Sequence, residues 1–145
     1  MRFFFSLDII PEFEFRRFIV EGVWDHGRSI LLGPRTVDGV KGYDVITPFI
    51  REDGSTILVD RGFISRDHIQ DQKPVGIHEP KGKVKIMGML RMKLHNKNPF
   101  TPENRPEKGE WYFLDLDKMT QWFAAKDKSV QGIFLEELFG NHILV

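Results

Sequence analysis

Between Lys83 and Met92 the chain alternates in character at every step. Val84, Ile86, Gly88 and Leu90 fall on one side, and Lys83, Lys85, Met87, Met89 and Arg91 on the other. A period of two is that of a strand with one buried and one solvated face, so this segment needs a sheet around it and a core beneath it. A helical bundle offers neither. The other apolar runs are short, aromatic and β-branched, and Gly, Pro, Asp and Asn separate them. Thirteen Phe and three Trp supply bulky side chains that suit a pleated surface.

The remaining strands follow from the same reading. Phe13 to Trp24 forms a long, imperfectly alternating strand, bent or bulged at Gly22. Residues 25–28 turn the chain into Ser29–Leu32, which Gly33-Pro34-Arg35 ends because proline cannot donate to a ladder. A second turn at 37–42 leads to a strand from Tyr43 to Ile50, interrupted by Pro48. Glu52–Ser55 then closes a hairpin onto Thr56–Val59. Ser65 caps a short helix, and 70–82 is a polar connection. The loop from His95 to Gly109 is longer than a hairpin requires. Trp111–Leu114 reads as a short strand. Asp115 caps a helix that sets Leu116, Met119, Thr120 and Phe123 on one face, with Lys126 and Lys128 near its end. Gly132–Leu135 is the last strand. The expected fold is mainly β (α+β): an antiparallel barrel or sandwich with one helix near the C-terminus and a short second helix. The 145 residues suffice for one domain, set at 11–139, with 1–10 a disordered or truncated lead and 140–145 a truncated end.

Composition removes several function classes. Lys plus Arg and Asp plus Glu number 21 each, so no net positive field draws nucleic acid. There is no cysteine for a thiol nucleophile, an iron–sulfur site or a Cys-type zinc site. His26, His68, His78, His95 and His142 are scattered, without metal-ligand spacing. The serines lack the glycine-flanked elbow of a hydrolase nucleophile, and no phosphate-binding glycine loop is present. Adjacent carboxylates at Glu52-Asp53 and Glu136-Glu137 point to opposite faces of a strand. The chain is read as neither an enzyme nor a metal protein.

Three local features remain. Arg35 and Arg51 each stand beside a Gly-Pro or Pro-Phe step, and Arg61 opens an Arg-Gly-Phe step after an apolar strand. Guanidinium suits bidentate oxygen recognition, so Arg35, Arg51 and Arg61 meeting at one rim could bind a carboxylate or propionate. The alternative is structural: arginines at strand ends that bind carbonyls, with glycine marking bulges. Gly22, Gly33, Pro34, Pro48 and Gly62 are read as structural marks of this kind. The third feature is the stretch Pro99, Phe100, Pro102, Asn104, Trp111 and Tyr112, either a partner-binding surface with aromatic anchors or a cover over an open barrel end.

These pieces occur in order. Phe18-Ile19-Val20-Glu21-Gly22-Val23-Trp24-Asp25-His26, Gly33-Pro34-Arg35, Gly42-Tyr43-Asp44-Val45-Ile46-Thr47-Pro48-Phe49 and Ile57 to Ile64 are followed by the Val84–Arg91 strand, Asn98-Pro99-Phe100, Pro102-Glu103-Asn104, Trp111 and Asp115-Leu116. Together they resemble the Surfeit locus protein 1 family of cytochrome c oxidase assembly factors over residues 11 to 135, and the insertion before Gly42-Tyr43 is similar to mitochondrial, especially fungal, members. The resemblance implies a non-catalytic chaperone of the mitochondrial inner membrane, anchored by a helix at each end that this chain lacks, with this domain in the intermembrane space. The implied partners are cytochrome c oxidase subunit 1, whose maturation it assists, and other assembly factors. Some bacterial relatives are thought to hold haem a, so the alternative is a haem-binding or haem-transfer carrier. No cofactor is expected in this fragment, and the ligand role is not carried onto His142.

Overall fold

The computed structural model describes residues 16–91 and 98–138. The expected start of the first strand at Phe13, the lead at 1–10, His95, Met92, and the segment after Leu138 with His142 lie outside the described residues. Among the described residues eight strands form: β1 Arg17–Trp24, β2 Ile30–Val37, β3 Val40–Arg51, β4 Thr56–Ser65, β5 Ile69–Gln70, β6 Lys73–Pro74, β7 Lys83–Arg91 and β8 Val130–Leu138. The helix α1 spans Leu116–Ala124.

The large sheet has the order β1-β7-β8-β4-β3-β2, and β1 also pairs with β3. That extra pairing closes β1, β7, β8, β4 and β3 into a five-stranded barrel, and β2 lies outside it as an arm on β3. Around the barrel β7-β1-β3-β4 is a Greek key, with the fourth of these strands in sequence returning beside the first. The expected barrel-or-sandwich resolves into a barrel. One expectation is corrected: the sheet is not wholly antiparallel, because β8 runs antiparallel to β7 but parallel to β4. The connection through α1 supplies the length that a parallel neighbour requires.

Closure falls at Gly22, which is level with Val84 of β7 and Arg51 of β3. Here β1 leaves one neighbour for the other. An ideal Cβ on Gly22 would fall onto the Ile50 carbonyl oxygen and 2.8 Å from the Phe49 ring. The sequence-expected bend is therefore the barrel seam.

Two apolar layers sandwich β3, β4 and β8. Inside the barrel, Val20, Trp24, Phe49, Ile57, Val59, Ile86, Leu90, Ile133 and Leu135 pack together. Outside it, Trp111, Leu114, Met119 and Phe123 lie on Ile46, Leu58, Val130 and Phe134. Strands covered on both faces read as continuous apolar runs, which is why 45–49 and 57–59 do not alternate and β7 does. The alternation assigned to Val84, Ile86, Gly88 and Leu90 holds: Ile86 and Leu90 are in the barrel core and Val84 packs against it.

Several local readings change. Gly33-Pro34 does not end β2; the strand continues to Val37, and the register shift between Leu32 and Arg35 absorbs the proline as a bulge. Pro48 does not interrupt β3, where it pairs with Leu58. Asp25 N–H donates to the Pro48 carbonyl at 2.9 Å, and the Asp25 carbonyl, just past the end of β1, accepts from Arg28 N–H at 3.2 Å, so it does not depend on a donor at Pro48. Trp111–Leu114 is not a strand. Its backbone meets β2 through a Leu32–Trp111 bridge and the Gly33 N–H bond to the Trp111 carbonyl at 2.8 Å, and the Trp111 side chain fills the outer core. The 70–82 connection contains the small β5–β6 hairpin. The Ser65 cap forms as expected, over a single 3-10 turn at Arg66–His68. The Asp115 cap on α1 accepts from Lys118 N–H at 3.1 Å, and Met119 and Phe123 are buried.

Candidate functional site

A cleft of about 710 Å³ opens where β2, the 98–102 turn and the 112–114 segment overhang the outer face of β3, β4 and β8. A bulge in β4 prepares its floor. Arg61 and Gly62 together stand opposite the single residue Val45, since Ile46 is level with Asp60 and Asp44 with Phe63. Gly62 adopts φ 124°, which an L side chain rarely takes, and its N–H donates to Asp60 Oδ1 at 2.9 Å. The extra residue separates two charges that follow each other in sequence. Asp60 lies in the cleft, while Arg61 enters the end of the barrel.

Five charged side chains from five strands line the floor. Arg35 Nη2 meets Asp44 Oδ1 at 2.7 Å, Asp60 stands beside Asp44, Asp60 is level with Glu136 in the parallel register, and Glu136 Oε2 accepts from Arg91 Nη1 at 2.6 Å. Three carboxyls are thus set between two guanidiniums, and each guanidinium serves an outer carboxylate. Burial, and then the carboxylate of Asp44 beside it, push the Asp60 carboxyl well above the usual range; Glu136 adds to the rise and the Gly62 N–H opposes it.

The rim is apolar. The Asn98 side chain accepts Phe100 N–H at 2.8 Å, and its carbonyl accepts Thr101 N–H at 3.0 Å. This turn holds the Phe100 ring 93% exposed beside Pro99 and Pro102. Tyr112 lines the opposite wall and donates its hydroxyl to Glu110 at 2.7 Å.

The sequence-derived residues divide accordingly. Phe100, Pro102, Tyr112, Gly33, Pro34 and Arg35 line the cleft, and Pro99 is exposed beside it. Asn104 and Trp111 are not contact residues, at 4% and 1% exposure. Asn104 accepts Tyr112 N–H and Phe113 N–H and donates to the Phe113 carbonyl, so it positions the cleft wall from behind. The expectation of one arginine rim is corrected. Arg35 is level with Gly42, at the opposite end of β3 from Arg51, ~30 Å of extended chain away. Arg51 is buried and donates to Ser55 and Gln131. Arg61 lies over the Trp24 ring, donates to the His78 carbonyl at 2.6 Å and faces Nδ1 of His26, whose Nε2 donates to the Pro80 carbonyl. Both close the barrel ends, because a strand sends successive side chains to opposite faces and distant rows to opposite ends.

Asp44, Asp60, Arg91 and Glu136 carry the cleft floor and escaped sequence reasoning. The legible signal was an acid inside an apolar strand, in Tyr43-Asp44-Val45-Ile46 and again in Leu58-Val59-Asp60. Glu136 and Glu137 do face opposite ways: Glu136 lines the cleft, while burial raises the Glu137 carboxyl and Arg61 partly offsets it.

The profile of the SURF1 family matches residues 6–142. This chain belongs to the SURF1 family. Surfeit locus protein 1 of Rattus norvegicus is 34% identical over 148 residues, 91% of this chain and 46% of the relative. The Homo sapiens protein of that name is 32% identical over 92% of this chain and 49% of its own length. A SURF1-like protein of Dictyostelium discoideum is 35% identical over 79% and 50%. The chain spans about half the length of the curated relatives it matches.

Proposed function

We propose that this SURF1 domain is a non-catalytic assembly factor in cytochrome c oxidase biogenesis and that it works by docking a partner segment in the cleft. The observation that carries this reading is Phe100. A fixed turn holds a large apolar ring almost wholly in solvent at the mouth of a cleft, with prolines beside it that limit the entropy lost on binding. Family membership supports the choice of process. The proposed partners are oxidase subunit 1, during maturation, and other assembly factors. The proposed setting is the mitochondrial inner membrane for the full-length protein, with this domain in the intermembrane space.

The haem-carrier alternative draws no support from the cleft. Its described lining has no His, Met or Cys to serve as an axial ligand, both of its arginines already meet carboxylates, and three carboxyls would face the propionates. No step through haem is derived.

The test is Phe100→Asp in the full-length parent protein, expressed in cells that lack it. Holo-oxidase on native gels is expected to fall several-fold while the level and melting temperature of the variant match the parent. Normal oxidase assembly in that variant would remove the cleft from the function.

A further inference from the structure

Among the described residues, the charge row on the cleft floor sets three carboxyls against two guanidiniums. Arg35 from β2 satisfies Asp44 of β3, and Arg91 from β7 satisfies Glu136 of β8, at 2.7 and 2.6 Å. Asp60 of β4, between them, accepts the Gly62 N–H and has the Asp44 carboxylate beside it, with no guanidinium or ammonium on it among the described residues. Tyr112, the titratable group facing the row from the 112–114 segment, turns its hydroxyl to Glu110. The site is built rather than incidental. The β4 bulge, the parallel β4–β8 register and the β2 bulge converge to place the row along the floor of a cleft walled by Leu32, Pro34, Phe113 and Phe134 and fronted by Phe100.

We propose that docking in this cleft is proton-linked: the partner segment seats a lysine or arginine side chain over Asp60, between Asp44 and Glu136, with apolar neighbours against Phe100, and that cation takes the place of a proton on the row of carboxyls. The inference rests on the docking reading above and adds to it the chemistry of the partner and a control by pH. With the proton in place the row of three acids and two arginines is neutral; when the proton leaves it carries one negative charge, which one basic side chain cancels. The exchange balances, with one proton released to solvent for each cation seated. Ionised Asp60 also accepts hydrogen bonds from the incoming group, so the desolvation that raises its carboxyl in the free protein is offset once a cation arrives. An acidic or carboxylate-bearing partner gains nothing at this floor, since both arginines are engaged.

Hexylammonium and hexanoate are the probes, two amphiphiles of equal apolar length and opposite charge, titrated into the full chain and followed by amide chemical shifts. The expected result is saturable shifts around Asp60, Glu136 and Phe100 with hexylammonium and none with hexanoate. The apparent affinity should rise ~10-fold per pH unit below the titration of Asp60 and level off above it. Asp60→Asn keeps the shape and removes the exchangeable proton, so binding should fall at least 10-fold and lose its pH dependence while the amide spectrum stays that of a folded barrel. Preference for hexanoate, pH-independent hexylammonium binding, or no binding of either would overturn the inference. If instead Phe100→Asp blocks oxidase assembly and hexylammonium does not bind, the docking reading stands and only the proton linkage falls.

Discussion

Gly22→Ala tests the barrel seam with a single methyl group. Gly22 is the residue at which β1 passes from β7 to β3, and its Cα faces the Ile50 backbone so closely that an ideal Cβ would overlap the carbonyl oxygen. The Phe49 ring, 2.8 Å from that Cβ, is buried and packs edge-on against Trp24 at 4.8 Å between centroids, so it cannot swing away freely. Two effects oppose each other. Alanine restricts the unfolded chain and stabilises by ~0.4–1 kcal/mol where the native backbone is compatible, while overpacking against a backbone atom costs ~1–3 kcal/mol. Overpacking wins, because the obstacle is a carbonyl in a ladder and not the tip of a flexible side chain. The net cost is ~1–2 kcal/mol, about 3–6 °C in melting temperature for a domain near this size. Gly22→Glu drives a larger side chain into the same obstruction at a buried position, level with Arg51, and should cost more than the alanine, ~3 kcal/mol or more of the ~5–15 kcal/mol available to a typical domain. Thermal and urea unfolding of both variants, followed by the fluorescence of Trp24 and its fellow tryptophans, give the measurement. An alanine variant as stable as the parent would mean that β1 and β3 do not meet at Gly22, and the closed barrel would be refuted.

Two further outcomes are expected. Arg61→Ala should destabilise the domain by ~2–3 kcal/mol in urea unfolding, since it strips the His78 carbonyl and leaves Glu137 without its nearby positive charge; loss of partner binding at unchanged stability would instead return Arg61 to the binding surface. Asp60→Asn should melt higher than the parent at neutral pH. The folded pKa of Asp60 lies above its unfolded value, so the folded state binds the extra proton and stability declines as pH rises from the unfolded carboxylate range towards the folded pKa. Melting temperatures from pH 4 to 8 should show that decline flattened in the variant, and identical profiles would remove Asp60 as its source.

The strands that sequence reasoning found are those whose environment differs between faces. β7 alternates because one side meets the barrel core and the other does not, and α1 was legible from its Asp115 cap and the spacing of Met119 and Phe123. Pro34 and Pro48 misled because proline is costly only where its missing N–H is needed, and a bulge and a position opposite Leu58 accommodate it here. Trp111–Leu114 misled because bulky aromatics favour strands and also favour any buried seat, and the outer core provided one.

The sequence by itself determined a mainly β chain with one capped helix, a bend at Gly22, a projecting Pro-Phe segment, and an ordered set of motifs that resembles the SURF1 family. These are local properties: periodicity, caps, turn residues and identity. Tertiary structure alone decided the cleft. Arg35, Asp44, Asp60, Arg91 and Glu136 are spread over a hundred residues, and two bulges and one parallel strand pairing make them neighbours. A one-residue slip in any of these registers would send an acid to the opposite face. The charge of each residue is written in the chain, but which charges compensate one another is set by the pairing of strands distant in sequence.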